Sequence, residues 1–221
     1  MARLPLSLLL KKEMAVLGNN IHPLLMGLGL FGLLSISLKW MVGGAIPPQI
    51  LLSSLSLFVM WVIFLSSDSL FVEDVRSGFL DVMKVERASL GKIIVIKLIL
   101  CWITLGIPLC LLFLCATYLF TLTLPALPLL AIMLVVSWFY IGAGAFANAI
   151  TLGAERQKSL LFLISLPFYV PLFIFQALLF EALIQGGEMA GYWQMLLGWG
   201  LIFTPVAGWG VLMSLNMVVG E

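Results

Sequence analysis

The chain has 221 residues, 63% of them hydrophobic and 10% charged, with a mean hydropathy of +1.21. Water-soluble domains carry roughly a quarter charged residues, so too little polar surface is present to enclose a compact fold in water, and lipid is the expected solvent. The net charge of +1 is spread along the chain without a basic tract, which excludes the electrostatic footprint of a nucleic-acid or anionic-lipid binder.

The opening segment, residues 1–20, holds Arg3, Lys11 and Lys12. Its apolar run from Leu4 to Leu10 is short and interrupted by Pro5, unlike a cleaved signal. Leu6, Leu9, Leu10 and Leu17 share one helical face with Lys11 and Lys12 off it, predicting an interfacial helix, although Glu13 falls within the apolar stripe. His22 is the single histidine and stands beside Pro23 at a predicted membrane edge. No second imidazole exists to clamp a haem iron or a zinc ion, so His22 reads as a boundary residue.

A spanning helix needs about 20 predominantly apolar residues. Six stretches qualify: residues 23–42, 47–67, 93–120, 124–150, 159–184 and 192–219. Gly43, Gly44, Pro47 and Pro48, then Pro125, then Gly153 mark tight connections, leaving no room for a soluble domain. The expected architecture is all-α and integral to the membrane, one transmembrane permease domain over residues 1–221.

The longest connection, residues 68–92, is amphipathic. Phe71, Val75, Phe79 and Val82 are placed on one face, with Glu73, Asp74, Ser77, Asp81 and Lys84 on the opposite one. This predicts a short helix against the membrane surface, which by composition alone is equally a helix that merely joins two spans.

Within the third stretch, Gly106 and Pro108 interrupt the apolar run, and Pro167 and Pro171 do so in the fifth. Proline removes an intrahelical hydrogen bond and clashes with the preceding turn, so these helices are expected to be kinked or locally unwound, as hinges or as fixed shape. Cys101, Cys110 and Cys115 share the third stretch and form no CxxC, which reads as small buried apolar residues. Gly142, Ala143, Gly144, Ala145 and Ala147 in the fourth stretch, and Gly198, Gly200, Gly208 and Gly210 in the sixth, permit close helix approach, within the chain or against a second subunit.

No GxxxxGK[ST] loop occurs, so nucleotide binding by the P-loop mechanism is excluded and any ATP-driven work has to come from a partner. The interiors of the spans lack the Asp, Glu, Arg and His of ion-coupled carriers. Asp68, Lys97 and Glu181 stand near predicted boundaries, where they can snorkel, while Asn148, Gln176 and Asn216 could line a polar cavity. No Ser/His/Asp, HExxH or paired-carboxylate constellation lies within a span, which argues against an intramembrane enzyme.

With six spans, ten of the eleven Lys and Arg residues fall on one side and Lys39 alone on the other. The excess of basic residues in cytoplasmic loops then places both termini in the cytoplasm.

The segment Leu70-Phe71-Val72-Glu73-Asp74-Val75-Arg76-Ser77-Gly78-Phe79-Leu80, followed by Lys97, Gly106 and Pro108, then by Leu166, Pro167, Pro171, Ile174 and Phe175 in an LP-x-x-x-P-x-x-IF pattern, and by Thr204-Pro205, resembles the CcmB family. These are the B subunits of the cytochrome c maturation haem exporter. The resemblance runs through nearly the whole chain and departs at Val85-Glu86-Arg87, where the family often carries a proline. It implies a six-helix fold similar to ABC exporters of the second type, in a bacterial inner membrane, with a cytoplasmic coupling helix between the second and third spans.

By the same resemblance Phe71, Glu73, Asp74, Arg76, Gly78 and Phe79 are the residues that meet the ATPase. The implied partners are an ABC ATPase subunit that binds the ATP, a haem-handling membrane subunit, a small membrane subunit and a periplasmic haem chaperone. The chain itself is expected to bind no cofactor or metal, the haem being handled by the complex. It would couple ATP hydrolysis to haem export or to release of the haem-loaded chaperone. A non-transporting scaffold and an ion-coupled carrier are the alternatives. A green fluorescent protein fused to the C-terminus is expected to fluoresce and alkaline phosphatase at the same point to stay inactive; the reverse pattern would overturn the orientation.

Overall fold

The computed structural model describes residues 21–42, 46–67, 70–76, 90–152 and 157–218, which form helices and short connections. In chain order the elements are α1 (Ile21–Val42), α2 (Pro48–Ser67), the short α3 (Val72–Arg76), α4 (Leu90–Cys101), a π-helical turn (Trp102–Gly106), α5 (Ile107–Leu119), α6 (Ala126–Thr151), α7 (Gln157–Gln185) and α8 (Ala190–Val218). α4, the π turn and α5 follow one another without a break. Among the described residues five helices are therefore long and apolar enough to cross a bilayer: Pro48–Ser67, Gly91–Leu119, Ala126–Thr151, Leu160–Gln185 and Ala190–Leu215. The first expected span coincides with α1, a helix of 22 residues whose described apolar part, Leu25–Met41, is shorter than the five. The interfacial helix expected within residues 1–20 lies outside the described residues.

Local chemistry explains the helix ends. Pro48 opens α2, where a missing N–H costs nothing, and the Pro47 carbonyl accepts the Leu51 N–H at 3.2 Å. Pro125, extended at φ −64° and ψ 120°, precedes α6. α7 stops at Gly186, whose φ of 65° lets the Gly187 N–H turn back to the Ala182 carbonyl at 2.9 Å, the Schellman closure. α5 ends in the same way around Thr121, at φ 56°. The Leu122 N–H reaches the Thr117 carbonyl at 3.1 Å and the Thr121 N–H reaches that of Tyr118 at 2.9 Å.

α6 is the axis of the bundle, with α2, α4, the π turn, α5, α7 and α8 all packed on it. Leu129, Ile132, Met133, Val136 and Tyr140 along its length are fully buried. Between helices in lipid, close fit rather than water exclusion drives association, and three glycines supply it. A Cβ at Gly200 of α8 would collide with the Phe139 ring, one at Gly210 with the Phe146 ring, and one at Gly144 with Ser67 and Tyr169. These three glycines therefore serve packing within the chain, whereas Gly142, Gly198 and Gly208 have open space beside them.

The two proline sites behave differently. Pro108 is the second residue of α5 and follows the π turn directly, in which the Ile107 N–H bonds the Trp102 carbonyl. Widening the helix by one residue moves the preceding carbonyls away from the proline ring. Trp102 folds back over Gly106, and its indole N–H donates to Ser137 Oγ at 3.1 Å. Around Pro167 and Pro171, by contrast, the expected unwinding is absent: α7 is unbroken α-helix through both. It is flanked there by α2, α6 and α8, neighbours of the kind that let transmembrane helices tolerate a lost bond.

The cysteine expectation also needs correction. Cys110 is buried, but Cys101 is half-buried and Cys115 exposed on the bundle surface, where an apolar thiol meets lipid as readily as protein.

A β-branched residue in the left-handed region is disfavoured by about 1–2 kcal/mol. Thr121→Gly is therefore expected to stabilise the α5 terminus by about 1 kcal/mol, net of the extra chain entropy of glycine. A raised thermal unfolding midpoint in detergent would confirm this, and a lowered one would contradict it.

Candidate functional site

α3 has five residues, far too few to be stable alone, and its contacts show what holds it. Phe71, at its start, is 1% exposed and lies among Ile93 and Ile94 of α4, Ala145 and Ala149 of α6, and Val211 and Leu215 of α8. Its backbone N–H donates to Asn148 Oδ1 on α6 at 3.1 Å, and Asn148 is fully buried. One turn on, Asp74 accepts a hydrogen bond and ion pair from Lys97 of α4. Both side chains are largely buried, at 12% exposure for Lys97 and 7% for Asp74. The Lys97 ammonium also stands 5.6 Å above the centre of the Phe71 ring, a cation–π contact. An aromatic plug, an amide clamp and an ion pair thus converge on one helical turn.

This corrects the placement of two residues. Asp74 was expected opposite Phe71, on a polar outer face, and it is turned inward instead. Residues three apart on a helix lie about 60° from each other, so Asp74 shares the side of Phe71 once a cation waits there. Lys97 was expected to snorkel to the membrane edge; its partner lies inside the fold. The helix Val72–Arg76 contains Glu73 and Arg76, while Gly78 and Phe79 lie outside the described residues.

Beside the Phe71 socket a crevice of about 230 Å³ runs between α4, α6 and α8, lined by Ile94, Leu98, Trp138, Gly142, Phe203 and Gly208 among others. Thr204 lies in it with its hydroxyl bonded to the Gly200 carbonyl at 2.6 Å. So apolar a space suits hydrocarbon better than a polar solute.

The two described amides expected to line a polar cavity are instead structural. Gln176, fully buried, accepts from the Tyr140 hydroxyl at 3.1 Å and donates to the Met133 sulfur at 2.9 Å; Asn148 clamps Phe71. At the opposite end of the bundle, Lys39 donates to the Leu119 carbonyl. There Glu181 accepts from Gln49 at 3.2 Å and from Gln185 at 3.1 Å.

A profile of the CcmB protein family matches residues 5–217, taking in α3 and each helix that holds it. The chain belongs to the CcmB family. It is similar to Heme exporter protein B of Rhodobacter capsulatus, 32% identical over 151 residues that cover 66% of this chain and 68% of the relative. The protein of the same name from Pseudomonas aeruginosa is 27% identical over 223 residues, covering 97% and 98%.

In this CcmB-family chain the sequence marks Phe71 and Asp74 as residues facing an ATPase and points to no partner for either within the chain. Lys97 and Asn148 are the sockets. The available signal was that a polar residue inside an apolar span needs a partner; which partner depended on how the helices come together. Asn148→Leu is expected to destabilise the protein by about 1–3 kcal/mol, the usual cost of orphaning a buried donor. It should also accelerate exchange of the Phe71 amide hydrogen; unchanged exchange there would rule out the clamp.

Proposed function

We propose that this CcmB-family chain is the membrane permease subunit of an ABC-type complex for cytochrome c biogenesis. It couples ATP hydrolysis by a partner ATPase to export of haem or to release of a haem-loaded periplasmic chaperone. The observation that carries this reading is the family match over residues 5–217, with relatives named Heme exporter protein B. In this reading haem is cargo, ATP belongs to the partner, and a haem-handling membrane subunit and a small membrane subunit complete the complex.

The chain then crosses a bacterial inner membrane six times. α1, with 22 residues, is about 33 Å long at 1.5 Å per residue, enough for a hydrocarbon core of about 30 Å. An even number of spans gathers Arg3, Lys92, Arg156 and Lys158 on the cytoplasmic side. The start of α4 and the ends of α6 and α8 meet around α3 on that side.

The ATPase contact is assigned to Glu73 and Arg76 of α3 and to Gly78 and Phe79 beyond it. Phe71 and Asp74, buried in the membrane domain, act from behind as anchors. Acidic Glu73 would meet a basic group on the partner, and Gly78 would permit close approach.

Affinity purification of the tagged chain from native membranes in mild detergent is expected to recover an ATPase together with cytochrome-maturation subunits. Glu73→Lys should lose the ATPase and keep the membrane subunits. Wild-type protein that brings down no ATPase would sink the proposal in favour of a scaffold or a self-standing carrier.

A further inference from the structure

We infer that Lys97 is a positioning residue, the part of a latch that makes α4 follow any displacement of α3; the inference rests on the coupling role proposed for α3. α3 is joined by the chain to α2, yet its burial and its hydrogen bonds are on α4, α6 and α8. The chain also runs on from α3 to α4 through residues 77–89, so a push on α3 reaches α6 and α8 through noncovalent contacts and reaches α4 without that intervening stretch only through the contacts of Phe71 and Asp74. The Phe71 plug resists withdrawal by the loss of its apolar burial, but a non-directional contact does little to fix the rotation of α3. The Asp74–Lys97 pair and the Phe71–Asn148 bond are directional, so they resist withdrawal and rotation as well.

Lys97 combines two attachments in one group, as donor to Asp74 and as cation over Phe71. It therefore fixes both ends of the α3 turn to α4. Five residues further along the same helix the backbone widens into the π turn Trp102–Gly106, a local feature that often stands at functional sites. α4 is thus short, held by α3 at Lys97 and separated from α5 by the one irregular turn of this span. Displacement of α3 pulls on α4 at Lys97, and the π turn is where α4 changes its angle to α5.

The test uses the assembled complex with three variants of this chain: Lys97→Met, Lys97→Arg, and the exchange of Asp74→Lys with Lys97→Asp. ATPase recovery, ATP turnover and cytochrome c matured per ATP are measured for each. Lys97→Met is expected to retain the ATPase but to mature about tenfold less cytochrome per ATP, the size of an ordinary coupling effect. Lys97→Arg and the exchanged pair should recover most of the loss.

A second reading needs no partner: Val75→Cys is labelled with a membrane-impermeant maleimide, with and without Lys97→Met, in chains whose Cys101, Cys110 and Cys115 are replaced by alanine. Faster labelling in Lys97→Met shows α3 released. A wild-type yield per ATP in Lys97→Met, an exchanged pair no better than the single variant, or equal labelling rates overturns the latch. Absence of an ATPase from the wild-type complex overturns the proposed function instead, and the labelling comparison still decides whether Lys97 holds α3.

Discussion

Hydrocarbon supplies no hydrogen bonds, so every backbone N–H and C=O within the bilayer has to be satisfied by the protein itself. Long unbroken helices follow directly, and so do the details at their irregularities. Buried hydroxyls turn back onto their own helices, as Ser35 does to the Phe31 carbonyl and Thr151 to that of Ala147, both within 2.9 Å. α5 and α7 close on backward hydrogen bonds, and Lys39 reaches across from α1 to the carbonyl of Leu119 at the end of α5. Where Pro108 removes a donor, the backbone widens into a π turn. The helix through Pro167 and Pro171 stays α-helical, with no unwound turn.

With the backbone satisfied, shape complementarity arranges the helices. α6 receives neighbours on every side because its own small residue at Gly144 and the glycines of α8 admit bulky partners. Phe139 and Phe146, two turns apart, sit over Gly200 and Gly210, and Phe168, Trp199 and Phe203 continue the aromatic contact between α7 and α8. Tyr140, Gln176 and Met133 form a polar contact within this packing. Such a buried amide, bonded on both its atoms, specifies how α6 and α7 register without opening a path for solute.

The short α3 is where the membrane domain and the proposed ATPase contact meet. A five-residue helix has no stability of its own, so its geometry is inherited from the sockets on α4, α6 and α8. Removing one partner of a buried ion pair costs ~3–5 kcal/mol, because the other charge is left unpaired; the Asp74–Lys97 pair therefore holds a defined position rather than adding bulk stability. That makes α3 a reporter of the spacing of three transmembrane helices, which is the property an energy-coupling element needs.

Hydropathy over about 20 residues and the positions of Pro47, Pro125 and Gly153 placed every long described helix to within one turn. These features act through neighbouring residues, and a linear pattern carries them. The residues of α3 were also marked in advance, by amphipathic spacing and by likeness to a family. Their facing was not: Asp74 looks polar on a helical wheel, and only the arrival of Lys97 from α4 makes the inward side the favourable one. The same holds for Asn148 and Gln176, whose partners belong to other helices, and for the difference between Gly200, filled by Phe139, and Gly208, left open. Helix formation in lipid is decided by local hydrogen bonding, whereas the pairing of buried polar groups and the use of each small residue are decided by which helices touch. That second choice is made when the helices assemble, and it is what turned an amphipathic linker into an anchored one.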